Sequence, residues 1–521
     1  MKKKYVRWTL WTIASPFILF IILCILIYLP PIQNFLVDKA AVYASEATGM
    51  NISVGRISLS FPLNLVVTNV DAASPHNDTL LSVRRLQVNV QLLPLLKKQV
   101  EVDGISLQGA TVNSNDLIHG MKLNGTLGEL FISSHGVALD PETAIVNKVL
   151  LKDTDLSLCL NDTAAADTAA SDTTYWKIIL QDIDLQNVSF ALDMPLDSLS
   201  LAASLDNAIL RDGLIDLHKS AYSLQTFRIE NGRVRYDNGK PLAADSLSSG
   251  LDPSHIALTD IGVKLDSLYY GGRNMKAIIS QFVLKERSGV EIVSATGRMV
   301  SNDKVLRVPS LKLETRDSYL ELNAAMDWNA LDFKGEGLMS ARLMADIGKP
   351  DVVRFMGRMD EKFVRQYPSE PLRIRTGIDG DLNKLKLTTL TAELPGALGL
   401  FARGELTHLT DSLLRGGDIT LEAETKDLKF VSTLAEGIEI PYGTRLEGKF
   451  TMAGTKMGTD LLLMQPEAQA VVAADTIPIT VYNDSISVAD DFKMERAARL
   501  FAKYDLSRDR YEADLAVRSE E

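Results

Sequence analysis

From residue 51 onward, apolar and polar residues alternate with a period of two along most of the chain. Leu86, Val88, Val90 and Leu92 alternate with Gln87, Asn89 and Gln91. This pattern predicts a strand with one apolar face and one polar face. Comparable alternation continues as far as residues 511–517, so the sequence predicts a mainly β fold with a few short helices.

Short phrases recur within this alternating region. VDGISLQGATVN (102–113), QDIDLQNVSF (181–190) and QTFRIENGRVRY (225–236) each predict a strand, a turn and a second strand. Aspartate followed by serine also opens new apolar runs, and both side chains bond their own backbone in turns. We therefore predict a turn before a strand at Asp197, Asp245, Asp266, Asp317, Asp411 and Asp484.

Three stretches predict helices instead. Residues 32–49 place apolar side chains at helical spacings and end at Gly49, which favours an amphipathic helix near the outer surface of a membrane. A plain stalk is the alternative. Residues 351–366 predict a helix with Asp351 as its N-cap, and residues 490–503 predict another.

The N-terminal part of the chain contains one long apolar run. Residues 8–29 are 22 residues without a charge, about 33 Å as a helix, which is enough to cross a hydrocarbon core of about 30 Å. A cleavable signal peptide is the alternative, but it requires a shorter apolar region followed by small residues. We therefore predict a single transmembrane signal anchor.

Basic and aromatic residues indicate how this anchor is oriented. Positive charges hold the N-terminus in the cytoplasm, at Lys2, Lys3, Lys4 and Arg7. Aromatic side chains are expected to stabilise the span, at Trp8, Trp11, Phe17, Phe20 and Tyr28. Everything after Pro30 then lies on the far side of the membrane.

Length and charge narrow the class of protein. At 521 residues the chain suggests two to four domains or one elongated array, and the repeated strands favour the array. A net charge of −12 argues against a nucleic-acid partner. Cys24 and Cys159 are too far apart in the predicted topology to form a disulfide. Residues 161–174 are small and polar and predict a loop or linker.

Catalytic signatures are missing from the sequence. The six histidines are spread singly, without a partner at metal-ligand spacing. The chain also lacks a phosphate-binding glycine loop and a nucleophile elbow. We therefore expect neither an enzyme nor a protein with a metal or cofactor.

Residues 47–72 and 80–113 resemble the N-terminal module of AsmA-like proteins, especially the TamB-type translocation and assembly branch. The matching features are Gly55, Ile57 and Leu59 with Pro62, the phrase LLPLL at 92–96, and Asp103 to Gly109. The resemblance implies a twisted β-sheet curled into an open apolar groove (a β-taco), anchored in the bacterial inner membrane and lying in the periplasm. It also implies transport of phospholipid between the inner and outer membranes. The alternative function is that of a scaffold that partners an outer-membrane barrel in protein assembly or secretion.

The predicted organisation follows from these observations. It consists of a cytoplasmic tip and anchor (1–31), a juxtamembrane helix (32–49), an AsmA-like β module (50–160), a loop (161–174) and β-groove repeats (175–521). Apolar residues of the resembling module are the candidates for contact with lipid, namely Ile57, Leu59, Leu86, Val88, Val90, Ile105 and Leu107. A sheet closed into a sandwich or solenoid would bury the same residues and is the alternative.

Overall fold

The chain is mainly β, as the alternation predicts. The computed structural model describes residues 39, 41, 42, 45, 46, 48–60, 64–74, 78–91, 102–114, 120–138, 142–161, 175–239, 250–332, 336–356, 361–433, 443–465, 479–482, 485–488, 496–505 and 510–519. They divide into two compact units. The first comprises Met1–Pro241 and Pro253–Gly271, and the second comprises Leu242–Asp252 and Gly272–Glu521.

The first unit is built almost entirely from strands. In chain order they are β1 (Asn51–Ser60), β2 (Asn64–Ala73), β3 (Thr79–Val90), β4 (Val102–Asn113), β5 (Met121–Ala138), β6 (Thr143–Leu160), β7 (Lys177–Met194), β8 (Leu199–Asp216), β9 (Ala221–Leu224), β10 (Thr226–Asp237) and β11 (His255–Gly271). A short 3-10 helix, Pro195–Asp197, precedes β8.

Strand pairing in the first unit follows chain order. Strands β1 to β6 form successive antiparallel pairs. β6 and β7 are parallel, and the antiparallel order then resumes through β8, β10 and β11. Only Gln225 separates β9 from β10, and both pair with β8 and β11, so the two act as one strand.

The start of the described chain is helical. Residues 39, 41, 42, 45, 46 and 48 are in helical conformation, and Gly49 follows at φ 69°. Its N–H donates to the Ser45 carbonyl at 2.9 Å, which is a common way for a helix to end. Among the described residues, no helix is long and apolar enough to cross a bilayer. The predicted anchor, residues 8–29, lies outside them.

A line of backbone irregularity crosses the first unit from β1 to β11. On most of these strands two consecutive residues separate apolar residues that would otherwise alternate, so the apolar residues occur three apart; on β6 and β10, Thr154 and Gly232 take the place of one apolar residue. We call this line the first crease. Its members are Gly55–Arg56, Thr68–Asn69, Arg84–Arg85, Gln108–Gly109, Gly128–Glu129, Lys152–Asp153, Gln186–Asn187, Asp206–Asn207, Glu230–Asn231 and Thr259–Asp260.

Several crease residues have a left-handed backbone. Positive φ angles of 49–61° occur at Asn69, Gly109, Asp153, Asn187, Asn231 and Asp260. Asparagine, aspartate and glycine are the residue types that adopt this region at least cost. Glycine is also required for space on β5, because a Cβ added to Gly128 would lie 2.8 Å from the Cβ of Asp153.

The recurring sequence phrases mark this crease. The three phrases form β4, β7 and β10, each a continuous strand, so the prediction of a turn inside them is wrong. Pairing with the neighbouring strands keeps the same register on both sides of the crease, because the irregular residues lie at matching places on adjacent strands. In these three phrases, pairing with a strand on each side outweighs the local preference of the sequence for a turn.

A second crease lies closer to the start of β7. It contains Asn147–Lys148, Gln181–Asp182, Arg211–Asp212, Gln225–Thr226 and Asp266–Ser267. Arg211 bonds both Asp182 and, at 2.9 Å, Asp184 across this line. The turn predicted at Asp266 is wrong for the same reason as above. Those at Asp197, Asp317 and Asp411 are confirmed in the connections before β8, β15 and β20.

The second unit continues with mostly shorter strands. They are β12 (Asn274–Glu286), β13 (Glu291–Ser301), β14 (Val305–Thr315), β15 (Tyr319–Asp327), β16 (Met339–Ile347), β17 (Leu372–Gly380), β18 (Lys384–Leu394), β19 (Leu398–Thr407), β20 (Gly416–Thr425), β21 (Arg445–Ala453), β22 (Lys456–Gln465), β23 (Ile479–Tyr482), β24 (Ser485–Val488), β25 (Arg496–Asp505) and β26 (Arg510–Ser519). Successive strands from β12 to β22 pair antiparallel, followed by β25 and β26, while β23 and β24 form a separate hairpin. The helix predicted over 490–503 is wrong from Arg496 onward, because that stretch hydrogen-bonds to β22 and β26.

Helices cover one end of the second unit's strands. They are α1 (Lys349–Met356), α2 (Glu361–Gln366) and the 3-10 helix Lys429–Thr433, and a further 3-10 helix, Trp328–Asp332, follows β15. A buried apolar cluster joins them to the sheet through Phe363, Tyr367, Leu394, Ala397, Leu428 and Phe430. Burial raises the pKa of the Tyr367 phenol above its usual 10.0.

Asp351 plays a different role from the predicted N-cap. α1 begins two residues earlier, at Lys349, and Asp351 is only 1 % exposed. Thr315 Oγ1 and Ser318 Oγ both donate to its Oδ2, the latter at 2.6 Å. Arg354 Nη1 donates to its Oδ1 at 3.0 Å. The carboxylate therefore ties α1 to the connection between β14 and β15.

The first crease requires a left-handed backbone at Asn187, which is exposed and has φ 51°. Asn187→Val should destabilise the first unit by roughly 1–3 kcal/mol, because a β-branched residue is strained in the left-handed region. Asn187→Gly should be close to neutral, although it loses the same 2.9 Å bond from Asn187 Nδ2 to Asp153. Hydrogen-exchange mass spectrometry of β7 measures both, and equal destabilisation would contradict the backbone explanation.

Two substitutions in the second unit test how much the buried Asp351 carboxylate contributes to stability. Asp351→Ala should destabilise this unit by about 1–3 kcal/mol, because it removes the buried acceptor of the Thr315 and Ser318 hydroxyls. Arg354 keeps its pair with Asp317 at 3.0 Å. Arg365→Ala removes an ion pair with Glu361 at the surface, where the Arg365 and Glu361 side chains are 73 % and 90 % exposed. It should change the free energy of unfolding by less than about 0.5 kcal/mol. Hydrogen exchange of α1 and β15 distinguishes them. A small effect of Asp351→Ala would show that the site rearranges.

Candidate functional site

Six of the seven residues predicted to contact lipid lie in two neighbouring rows on one face of the first unit. Cross-strand pairing brings together Ile57, Val67, Leu86 and Leu107 in the first row. The second row contains Leu59, Leu65, Val88 and Ile105. Residues directly opposite in an antiparallel pair point to the same face, so these side chains form one surface. Val90, opposite Val102, continues that surface beyond the second row.

Both rows extend across the whole first unit. The first continues through Leu130, Leu151, Leu185, Ala208, Ile229 and Val263. The second continues through Ile132, Val149, Ile183, Leu210, Phe227 and Leu265. Every residue in the two rows is apolar.

A third row lies on the other side of the first crease. It contains Val54, Val70, Val83, Ala110, Leu127, Thr154, Val188, Leu205, Gly232 and Ile261. With strict alternation, all of these residues except Ile261 would point away from the first two rows; on β11 the crease lies beyond Ile261. The crease shifts the alternation by one residue, so all three rows share a face. We call these three rows the apolar face.

The apolar face is only partly covered. Among the described residues of the first unit, four apolar side chains are buried, namely Ala72, Leu80, Val83 and Ala208. Ile105 on the apolar face is 36 % exposed, and Phe190, in the next row beyond it, is 39 % exposed. Most of the other members are half-buried. Residues in a well-packed core would be almost fully buried, so no second layer packs on this face within the described part of the unit.

The opposite face is more polar, although Val66, Phe131, Leu150 and Ile209 lie on it. A groove of about 380 Å³ crosses it where small residues lie on β7 and β8. Asp155, Ser189, Ser204 and Arg233 form one row of this groove. Arg233 also lies 3.7 Å from Asp206 on the crease. Because charges of both signs lie here, this face has the character of a solvated surface.

The second unit has an apolar face of its own. One row contains Leu313, Leu320, Ala345, Ile374, Ala392, Leu400, Ala423 and Leu446. Ala345 is 2 % exposed and the other members of this row are half-buried, much as in the rows of the first unit. The helices and the cluster around Phe363 lie towards this end of the strands.

Only part of the apolar face was predicted from the sequence. The predicted residues lie on β1, β3 and β4. Leu65 and Val67 on β2 and every member from β5 to β11 were not predicted. Strict alternation fails on these strands, which hid the pattern. The informative signal was an apolar residue, two polar residues that include Asn, Asp or Gly, and another apolar residue, as in Leu185 to Val188.

Other predicted residues lie elsewhere. Lys2, Lys3, Lys4, Arg7, Trp8, Trp11, Phe17, Phe20 and Tyr28 are outside the described part of the chain. Within that part, no three His, Cys, Asp or Glu side chains are grouped closely enough to hold a metal ion. The site is therefore described by its apolar surface.

Comparison with known proteins adds little. No protein-family model matches the chain. No curated protein matches it either. Among solved structures, the crystal structure of Pseudomonas aeruginosa OccK11 (OpdR) aligns over 84 % of this chain and 93 % of its own, at 8 % identity and a TM-score of 0.14.

Proposed function

We propose that the apolar face holds the acyl chains of phospholipids, and that the protein moves these lipids between the inner and outer bacterial membranes along an open groove. The observation that supports this most is a continuous apolar surface whose members stay half-exposed. A large exposed apolar surface is costly in water and usually has a partner. Hydrocarbon chains satisfy such a surface without requiring hydrogen bonds.

The dimensions of the apolar face suit this cargo. Strands lie about 4.8 Å apart, so the ten strands that contribute to each row span roughly 43 Å. Each methylene removed from water contributes about 0.8 kcal/mol, so a chain lying along these rows would be held by many small contacts. None of these contacts is specific for one lipid headgroup.

The membranes themselves are inferred from the sequence. Residues 8–29 predict an anchor in the inner membrane with the bulk of the chain in the periplasm. The resemblance of residues 47–72 and 80–113 to the AsmA-like module supports the same location. Transport between two membranes then follows as the proposed role of a long apolar surface next to that anchor.

One substitution tests the apolar face. Val88→Arg places a charge between Leu65 and Ile105, where it can extend its stem along the apolar wall and keep its guanidinium in water. We expect the protein to accumulate normally, to keep its β-rich circular dichroism spectrum and to lose bound phospholipid, measured by lipid mass spectrometry after purification in mild detergent. Gln87→Arg, whose side chain points to the polar face, should keep its lipid.

Two results would contradict this proposal. Normal folding of Val88→Arg with unchanged lipid content would mean that this face does not carry lipid. Loss of folded protein would instead indicate a closed core, because an unpaired buried charge costs several kcal/mol, comparable to the stability of a domain. The comparison with Gln87→Arg removes the contribution of lipid bound around the anchor.

A second candidate function is that of a scaffold for assembling outer-membrane proteins. The pairing described for β26 is with β25 alone, and a strand with a free edge can accept a partner strand. A photo-crosslinker placed at Ala513 should then capture an outer-membrane barrel protein in cells. Crosslinks to lipid alone, or none, would contradict this scaffold function and leave lipid transport as the proposal.

A further inference from the structure

The turn between β19 and β20 presents two adjacent leucines to solvent. Leu413 is 78 % exposed and Leu414 is 64 % exposed. Leu338, just before β16, is also 64 % exposed. It lies at the same end of the strands, because β16 to β20 are paired in register through Met339, Gly380, Leu385, Leu406 and Gly417.

The leucine turn has a fixed conformation. Asp411 Oδ1 accepts the N–H of Leu413 at 2.8 Å and the N–H of Leu414 at 3.1 Å. The N–H of Arg415 donates to the Asp411 carbonyl at 2.9 Å, which closes the turn. The two leucines are therefore held outward by the backbone.

Hydrogen bonds to neighbouring turns stabilise the Leu413–Leu414 turn on both sides. The N–H of Leu409 donates to the Leu382 carbonyl at 2.8 Å, in the turn between β17 and β18. On the other side, Arg415 Nε donates to the Gly454 carbonyl at 2.9 Å, and the N–H of Gly454 donates to the Arg415 carbonyl at 2.7 Å. These bonds fix the position of the two exposed leucines relative to the strands.

We propose that the Leu413–Leu414 turn inserts into the surface of a phospholipid bilayer. A protein partner would need to bury about 800 Å² on each side, which two leucines at a narrow turn cannot provide. A bilayer accepts single apolar side chains, each gaining in proportion to its own buried area. The N–H groups of Leu413 and Leu414 are already paired with the Asp411 carboxylate, so these donors are not left unpaired when the leucines enter lipid.

This contact is separate from the proposed lipid transport. It uses an end of the second unit's strands, about 380 residues along the chain from the predicted anchor at residues 8–29. It would give the protein a second point of attachment to a membrane. The contact does not require the apolar face of the first unit.

A fluorescent probe tests the insertion directly. In the full chain carrying Cys24→Ser and Cys159→Ser, Leu413→Cys is labelled with the environment-sensitive dye NBD and reconstituted with vesicles of phosphatidylethanolamine and phosphatidylglycerol. We expect doxyl-labelled lipid in these vesicles to quench the dye strongly. The control is the same dye on Leu196→Cys, since Leu196 is 63 % exposed in the 3-10 helix before β8 and should be quenched little. Equal quenching at the two positions, or none at 413, would overturn the proposal.

A second measurement uses vesicle capture. The full chain held in lipid nanodiscs should be captured by added vesicles, and Leu413→Ser with Leu414→Ser should weaken capture about tenfold while leaving thermal unfolding unchanged. Unchanged capture would also overturn the proposal. Val88→Arg should leave the quenching at position 413 intact, whereas the double serine variant should keep its co-purified lipid. Failure of either function is thereby distinguished from failure of the other.

Discussion

The first unit depends on where the backbone can adopt a left-handed conformation. A strand that alternates strictly over 18 residues has one residue in two on each face and no means of changing direction. Asn69, Asp153 and Asn187 supply a change of direction at matching positions on different strands. Because neighbouring strands change together, their pairing keeps its register on both sides of the crease and the apolar residues stay on one face. Side-chain chemistry at a few exposed positions thus decides how a large apolar surface is arranged.

The two units obtain their stability in different ways. In the first, backbone pairing and half-buried apolar rows carry most of the structure, and polar contacts such as that of Asn187 with Asp153 lie at the surface. The second adds a conventional core in which Phe363 packs against Tyr367 and Phe430, with ring centroids 5.5 and 5.8 Å apart. It also buries a charge at Asp351.

Alternation alone was enough to predict the mainly β fold and to place Val88 and Ile105 on one face. It could not predict the creases, because a polar pair such as Gln186–Asn187 has the same local chemistry in a turn and in a kinked strand. Pairing with β6 and β8 decides between them. Tertiary contacts also explain the other two wrong predictions. Asp351 accepts a hydrogen bond from Ser318 in the connection between β14 and β15 instead of capping the helix. The stretch from Arg496 has apolar residues at helical spacing, but it forms a strand that pairs with β22 and β26.

The parallel pairing of β6 with β7 has a consequence for how the first unit folds. Antiparallel neighbours can grow outward from a short turn, but a parallel pair has no turn to start from. β6 ends at Leu160, and 16 residues separate it from Lys177, but Lys177 pairs with Thr143 at the other end of this 18-residue strand. Closing this loop has an entropic cost that precedes any new pairing, and contacts of this kind slow folding. Strands β1–β6 and β7–β11 are therefore expected to form as two cooperative blocks, with their joining as the slow step.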